Sequence, residues 1–242
     1  MKCVVMSTVD LRTEPKFRSE RNSQLIYGEA VTVISESGDY YLVEGIDRVR
    51  GYVMKNLIQD CENKKYVLRK NFRSEHMVFP FGSYVNDDEI SFHGIPEDFL
   101  VRNGVKYKPV DLAQEFVGVP YLWGGTSDLG YDCSGFTQRL FRFCGTEIPR
   151  NSGWQREASI TIGDFDHAKP GDLVFYTGHV TIYLGDHKII HANVHNGGVS
   201  YTDLNDGSTY SSYLAKAFEK IGRLELNSKY DLPFIKGKES AE

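Results

Sequence analysis

Among the residues whose types could take part in catalysis, Cys133 has the most distinctive sequence surroundings. This cysteine follows a polar, glycine-rich stretch and opens an apolar helical pattern, which predicts a helix over 133–144. The free N–H groups and partial positive charge of a helix N-terminus stabilise a thiolate, so a cysteine there is a candidate nucleophile. The alternative is an inert buried cysteine, the ordinary state of a free cysteine. The polar and glycine neighbours of Cys133 disfavour that alternative.

Two histidines can supply the base that such a nucleophile needs. His179 opens one apolar strand pattern and His191 lies in the next, with a turn around Gly185 between them. A hairpin centred on this turn predicts that the two histidines face each other directly. One imidazole can then take the proton of Cys133 while the other fixes its tautomer. A surface pair is one alternative. A metal site is another, but no third ligand is suitably spaced, so we expect no metal.

The elements that must position these residues change character along the chain. Residues 1–60 contain short β-rich runs separated by turns, which predicts a small barrel. Residues 61–109 predict a reduced second module or a structured linker, with a strand at 90–92 after a solvated acidic turn. Residues 110–242 predict two helices and then strands, and Asp111 is the expected N-cap of the first helix.

Composition narrows the function classes. The chain has 242 residues, 40% of them hydrophobic, and a formal net charge of −5, which disfavours nucleic-acid binding. No apolar stretch approaches the roughly 18 residues of a membrane span or resembles a signal peptide, so we expect no membrane contact and a cytoplasmic location. The other three cysteines lack a metal-binding or disulfide pattern. We expect small buried side chains in a reducing compartment at Cys3, Cys61 and Cys144.

Three short segments, in order, resemble the catalytic segments of the NlpC-type cell-wall cysteine peptidase family: Asp132-Cys133-Ser134-Gly135, Gly178-His179-Val180 and Ile190-His191-Ala192. The segment Pro170-Gly171-Asp172-Leu173 resembles the preceding strand of that family. The N-terminal pattern that runs from Val9-x-Leu11-Arg12 to Gly51-Tyr52-Val53 resembles a bacterial SH3-like domain. The resemblance implies an α+β, papain-like catalytic domain over 110–242, in which the helix bearing the cysteine packs on an antiparallel sheet. It also implies one or more SH3-like barrels ahead of that domain.

The same resemblance implies roles for individual residues, without a cofactor. Cys133 would be the nucleophile, His179 the base and His191 the group that orients the base. The family also uses a tyrosine about twelve residues before the cysteine, which falls on Tyr121. Its hydroxyl would help to stabilise the oxyanion. The alternative for Tyr121 is an aromatic side chain packed beside Trp123.

The substrate is also implied by resemblance. The segments 121–125 and 149–155 are similar to the γ-D-glutamyl-L-diamino acid endopeptidases, which process murein peptides. This similarity implies cleavage between γ-D-Glu and meso-diaminopimelate or Lys in peptides with a free N-terminal L-Ala. Asp132, Ser134, Ser152 and Glu20 would bind the free amine. The alternatives are a helix cap for Asp132, a bond to an early helix N–H for Ser134, and a solvated surface charge for Glu20.

Two other function classes remain open at this point. The same Cys–His–His set could serve an acyltransferase or amidase acting on another acyl group, because a fold does not determine a substrate. A non-catalytic wall-binding protein could rely on the SH3-like part alone. The oligomeric state is not indicated by the sequence. The expected partner is a murein-derived peptide, either free or within the intact wall.

Overall fold

The computed structural model describes residues 1–102, 107–230 and 232. Among these, residues 1–102, 126–128 and 232 form a first compact unit, and residues 107–125 and 129–230 form a second. Within the described ranges, no helix combines the length and the apolar character that crossing a membrane requires.

The first unit is built mainly from short strands. Its strands are β1 (Lys2–Val4), β2 (Thr8–Arg12), β3 (Arg21–Ile26), β4 (Ala30–Ser37), β5 (Tyr40–Gly45), β6 (Arg50–Met54), β7 (Ile58–Asp60), β8 (Tyr66–Leu68), β9 (Phe72–Arg73), β10 (Val78–Phe79), β11 (Tyr84–Val85) and β12 (Leu100–Arg102). Strands β1 to β7 form one sheet in the order β3-β2-β6-β5-β4-β1-β7, and β11-β8-β12 form a second sheet. Apolar residues on alternate positions of β2, such as Val9 and Leu11, are buried, as the period of a strand requires.

A disulfide links two neighbouring strands at one edge of the seven-stranded sheet. Cys3 in β1 is bonded to Cys61, just beyond β7, and the two Cα atoms are 5.8 Å apart. The pairing of β1 with β7, which sets Lys2 opposite Asp60, brings the two cysteines together. The expectation of unpaired cysteines at these two positions is therefore wrong. A separation of 58 residues hides the pair from any local pattern.

The acidic run at 87–89 begins a helix, α1 (Asp87–His93), so the strand expected at 90–92 is also wrong. Asn86 and Glu89 form a capping box. The Asn86 side chain accepts a hydrogen bond from the backbone N–H of Glu89, and the Glu89 side chain accepts one from the backbone N–H of Asn86. Three acidic residues in the first turn further favour this helix because they complement its dipole. Gly94, with φ of 66°, ends it.

One apolar cluster joins residues 61–102 to the seven-stranded sheet. Tyr27, which follows β3, is buried with Leu68, Phe79, Val85 and Ile95. The rings of Tyr27 and Phe79 meet edge to face, with their centroids 4.7 Å apart. The first unit therefore has a core that both segments build together. A reduced second SH3-like module at 61–109 stays a prediction.

The second unit combines one sheet with four helices. Its helices are α2 (Pro109–Ala113), α3 (Cys133–Phe143), α4 (Ser152–Ala158) and α5 (Thr209–Ala217). Strand β13 (Thr126–Ser127) belongs to the first unit, and the strands of the second unit are β14 (Gly130–Tyr131), β15 (Ile160–Ile162), β16 (Leu173–Tyr176), β17 (His179–Gly185), β18 (Lys188–Asn193), β19 (Gly198–Asp203) and β20 (Phe218–Arg223). Strands β15 to β20 form an antiparallel sheet in the order β15-β20-β16-β17-β18-β19, and α3 packs on β17 and β18. The expected helix on an antiparallel sheet is confirmed.

Helix α2 begins earlier than the sequence predicted. Its N-cap is Lys108 rather than Asp111, which lies in the first turn. Pro109 takes the first helical position, where its missing N–H has no cost. The rest of the expected helix continues as a 3₁₀ turn at Gln114–Phe116.

Candidate active site

Helix α3 begins at Cys133, and its first turn is held by the residues on either side. Asp132 is the N-cap, and its Oδ1 accepts a hydrogen bond of 2.6 Å from the backbone N–H of Gly135. Gly135 has no room for a side chain, because a Cβ would lie 2.1 Å from the carbonyl oxygen of Gly125. Asp132 therefore caps helix α3, which was the alternative to amine binding at this position. The close contact with Gly125 explains why position 135 is a glycine.

Arg150 binds both carboxylate oxygens of this cap, a contact that the sequence interpretation missed. Its guanidinium nitrogens lie 3.0 Å from Asp132 Oδ1 and 2.6 Å from Oδ2. The Arg150 side chain is 2% exposed, so this bidentate pair is buried. Gly124 donates a further backbone hydrogen bond of 3.0 Å to Oδ2. The sequence gives little indication of this contact, because Arg150 is a single arginine between a proline and the start of α4.

Ser134 belongs to the same network. Its Oγ accepts a hydrogen bond of 2.9 Å from Arg150 and donates one of 3.3 Å to Asp132. Its carbonyl oxygen accepts a bond of 3.1 Å from Gln155 Nε2 in α4. The alternative for Ser134 was a bond to an early helix N–H, and its Oγ instead contacts Arg150 and Asp132. Amine binding by Asp132 and Ser134 stays a prediction, and their contacts add a structural role at the start of α3.

The Cys133 thiol is buried at the start of α3. Burial, and to a smaller extent the charge of Asp132, raise the pKa of this thiol to about 12, while the N–H of Val180 and the charge of Arg150 oppose the rise. The sequence had predicted a stabilised thiolate at the helix start. In the resting site desolvation exceeds the helix contribution, and the thiol stays protonated at neutral pH.

The two histidines meet through a direct hydrogen bond. His179 Nε2 lies 2.7 Å from His191 Nδ1. The register sets Ile182 opposite Ile190, and a bulge follows Tyr183. His179 and His191 are therefore diagonal neighbours rather than directly opposed residues, so the predicted register was wrong by two positions. Both side chains still share one face, because a shift of two preserves the strand period.

Burial also sets the charge of this pair. It lowers the pKa of His179 to about 4, against a smaller opposing effect of Asp132. Burial lowers the pKa of His191 well below its usual value, and the neighbouring His179 and His195 lower it further. Both imidazoles are therefore neutral at pH 7. A neutral imidazole has one nitrogen with a lone pair, which a general base requires.

Two side chains that the sequence interpretation did not single out complete the surroundings of His191. Thr202 Oγ1 in β19 lies 3.0 Å from His191 Nε2. The ring of Tyr210, in the first turn of α5, stacks near His191 with a centroid distance of 6.1 Å. Tyr210 also stacks on His195, with the ring centroids 4.1 Å apart. These contacts hold the His191 ring in one orientation.

The remaining predicted site residues differ in their surroundings. Tyr121 is half-buried, and burial raises the pKa of its phenol to about 12, with the charges of Cys133 and Asp132 as further causes. Its hydroxyl therefore stays protonated at neutral pH and can act as a hydrogen-bond donor. Ser152 is the first residue of α4 and is half-buried. Glu20 belongs to the first unit and its side chain is exposed.

Comparison with known proteins matches two parts of the chain to two protein families. The model of the NlpC/P60 family matches residues 118–218, and that of the bacterial SH3 domain matches residues 7–59. The chain is similar to the NlpC/P60 family protein of Bacillus cereus, whose crystal structure gives a TM-score of 0.75 at 19% identity and covers 92% of this chain and 99% of that one. This likeness confirms the predicted combination of folds.

Two curated relatives are similar in sequence. The γ-D-glutamyl-L-lysine dipeptidyl-peptidase of Bacillus cereus is 35% identical over 112 residues, which cover 43% of this chain and 33% of the relative. The murein DD-endopeptidase MepS/murein LD-carboxypeptidase of Escherichia coli is 36% identical over 131 residues, which cover 50% of this chain and 69% of the relative. The chain thus spans a third of the first relative's length and about two thirds of the second's.

Proposed function

Since this chain belongs to the NlpC/P60 family, we propose that it is a cysteine peptidase that hydrolyses murein peptides. Cys133 is the nucleophile, His179 the base and His191 the residue that orients the base. The observation that carries the proposal is the bond of 2.7 Å between two neutral histidines, of which His191 is buried and His179 is half-buried. The amide of Val180, the residue after His179, hydrogen-bonds the thiol at the start of α3.

The protonation states define the order of events. His179 uses Nε2 to bind His191, so Nδ1 is the nitrogen that takes the thiol proton. Because thiol and imidazole are both neutral at rest, the proton moves as sulfur attacks the carbonyl carbon. The oxyanion is stabilised by N–H groups at the start of α3 and by the Tyr121 hydroxyl. The imidazolium then protonates the departing amine, and water releases the acyl group by the reverse transfer.

The finer proposal concerns the bond that is cut. We propose the bond between γ-D-Glu and a diamino acid, either meso-diaminopimelate or Lys, in peptides with a free N-terminal L-Ala. The support is the relative named γ-D-glutamyl-L-lysine dipeptidyl-peptidase. An ammonium group needs an anion and several acceptors. Asp132, Ser134, Ser152 and Glu20 are the residues proposed for this end of the substrate.

Product analysis tests both levels of the proposal. The wild type and Cys133→Ala are incubated with L-Ala-γ-D-Glu-diaminopimelate and its Lys analogue, each free and N-acetylated, and products are identified by mass spectrometry. We expect L-Ala-D-Glu from the free peptides alone, with no product from Cys133→Ala. The matched control is Cys144→Ala, which removes the other free, buried cysteine and should keep activity.

The other possible outcomes distinguish the general proposal, a murein peptidase, from the finer proposal of a site that binds the free amine. Cleavage of the acetylated peptides as well would keep the peptidase but remove the amine-end roles of the four residues. Cleavage of neither form would overturn the peptidase on these substrates and favour acyl transfer, amide hydrolysis of another substrate, or wall binding without catalysis.

The state of the natural substrate is a further part of the proposal. We infer free murein peptides, as in cytoplasmic recycling of wall fragments, rather than intact wall. Intact sacculi digested as fast as the tripeptide would contradict this inference. The disulfide between Cys3 and Cys61 argues against a cytoplasmic location, because disulfides persist mainly in oxidising compartments. Cell fractionation followed by thiol labelling of these cysteines distinguishes the two locations.

A further inference from the structure

The hydrogen bonds beyond His179 form a single line that ends at a hydroxyl. His179 Nε2 meets His191 Nδ1 at 2.7 Å, and His191 Nε2 meets Thr202 Oγ1 at 3.0 Å. His191 is 0% exposed and Thr202 is 6% exposed. Water therefore has little access to the far end of this line, and Thr202 is the partner that the structure provides there.

The positions of the protons follow from what a base must do. The second nitrogen of His179, Nδ1, must carry the lone pair that accepts the thiol proton. A neutral His179 then has its hydrogen on Nε2 and donates it to His191 Nδ1. His191 is neutral as well, so its own hydrogen lies on Nε2. That N–H can be satisfied by Thr202 Oγ1 only if the hydroxyl oxygen accepts.

The opposite arrangement has the same heavy-atom distances but no base. If Thr202 donated to His191 Nε2, His191 would donate from Nδ1 and occupy the lone pair of His179 Nε2. The hydrogen of His179 would then lie on Nδ1, towards the thiol. Acceptance by Thr202 is also required after the proton transfer, because the imidazolium of His179 still donates from Nε2.

We propose that Thr202 is a positioning residue, whose hydroxyl oxygen accepts the His191 Nε2 hydrogen and so keeps both histidines in the tautomers that leave His179 Nδ1 free. This inference rests on the proposed function, because it concerns the same base. It extends the set to a fourth residue, on β19, that touches neither the substrate nor the reacting atoms.

Removal of the acceptor should lower the rate rather than binding. Thr202→Val keeps the shape of the side chain but leaves the buried Nε2 hydrogen without a partner in the active tautomer. We expect kcat on the tripeptide to fall about 5- to 150-fold, the range for an unsatisfied buried donor. KM should stay within about twofold, and Thr202→Ser, which restores an acceptor, should recover most of the loss.

The matched control is Thr181→Val. Thr181 is also fully buried in the same sheet, and its Oγ1 donates to the carbonyl of Val174 at 3.3 Å instead of to a histidine. Its removal should change the stability of the fold but not the tautomers. Equal losses of kcat in Thr181→Val and Thr202→Val would show a general packing effect and overturn the proposal.

Two readouts need no substrate. Long-range ¹H–¹⁵N correlation spectra should show the Nε2–H tautomer for His179 and His191 in the wild type and a shift towards Nδ1–H in Thr202→Val. Alkylation of Cys133 by iodoacetamide, followed by peptide mass mapping, should slow in parallel. An Nδ1–H tautomer of His179 in the wild type would refute the inference, whereas failure to cleave any murein peptide would refute the proposed function alone.

Discussion

Replacement of Arg150 by methionine should destabilise the second unit strongly. The side chains of Arg150 and Asp132 are 2% and 11% exposed, so the variant leaves a carboxylate buried without its cation. Breaking a buried ion pair by removing one partner costs about 3–5 kcal/mol. The backbone N–H groups of Gly124 and Gly135 remain on the carboxylate. We therefore expect a loss near the lower end, about 3 kcal/mol.

The assay is denaturant unfolding followed by tryptophan fluorescence. The chain has two tryptophans, Trp123 and Trp154, and both lie in the second unit, so the signal reports on that unit. The double variant Arg150→Met/Asp132→Asn removes both charges and should recover much of the stability. A coupling energy below about 0.5 kcal/mol in this cycle would refute the assigned importance of the pair.

The matched control is Arg156→Met on the neighbouring helix. Arg156 pairs with Glu219 at the surface, where the two side chains are 36% and 29% exposed. An exposed pair contributes about 0–1 kcal/mol, so this change should be small. Because Arg150 also lowers the pKa of the Cys133 thiol, its loss should raise that pKa and slow alkylation at a given pH. Arg150→Lys, which keeps the charge, should retain part of both effects.

Three further predictions concern other parts of the chain. Reduction of the Cys3–Cys61 disulfide should lower the stability of the first unit by about 4 kcal/mol, as loop closure over 58 residues implies, and unchanged hydrogen exchange of its most protected amides after reduction would contradict this. Gly135→Ala should cost about 1–3 kcal/mol of unfolding free energy through overpacking, whereas Gly153→Ala, with open space around it, should be tolerated; equal melting temperatures would disprove the steric argument. The acid limb of kcat/KM should lie near pH 4, because burial lowers the pKa of His179, and a limb near pH 6.5 would contradict the assignment of this residue as a base with a lowered pKa. Since the folded-state pKa is depressed, the stability linked to this group is complete above its unfolded value near 6.5 and is lost as pH falls towards 4.

The parts of the site that were predictable are those with local signals. A glycine-rich approach, a capping aspartate and an apolar 3.6-residue period mark the start of α3 at Cys133, and the structure confirms it. The strand period placed His179 and His191 on one face even with a wrong register, because the observed register differs from the predicted one by two positions and such a shift keeps every side chain on its face.

The parts that were missed depend on contacts between distant segments. Arg150 meets Asp132 across 18 residues, and Thr202 meets His191 only because β19 pairs with β18. Nothing in the neighbouring sequence distinguishes such an arginine or threonine from a surface residue. The helix at 87–93 is different, since its capping box was readable, and there the acidic run was wrongly interpreted as a turn.

The shared core of the first unit also bears on how this part of the chain can move between proteins. Tyr27 fills a space that Leu68, Phe79 and Val85 line, and Gly28 lies so close to Tyr84 that a Cβ would sit 2.1 Å from its carbonyl oxygen. If recombination separated the chain after residue 60, one product would expose the ring of Tyr27. The other product would expose the apolar side chains that pack on this ring. We therefore expect residues 1–102 to fold when they are grafted as one piece and to lose stability when the chain is cut at residue 60, although the bacterial SH3 match ends at residue 59.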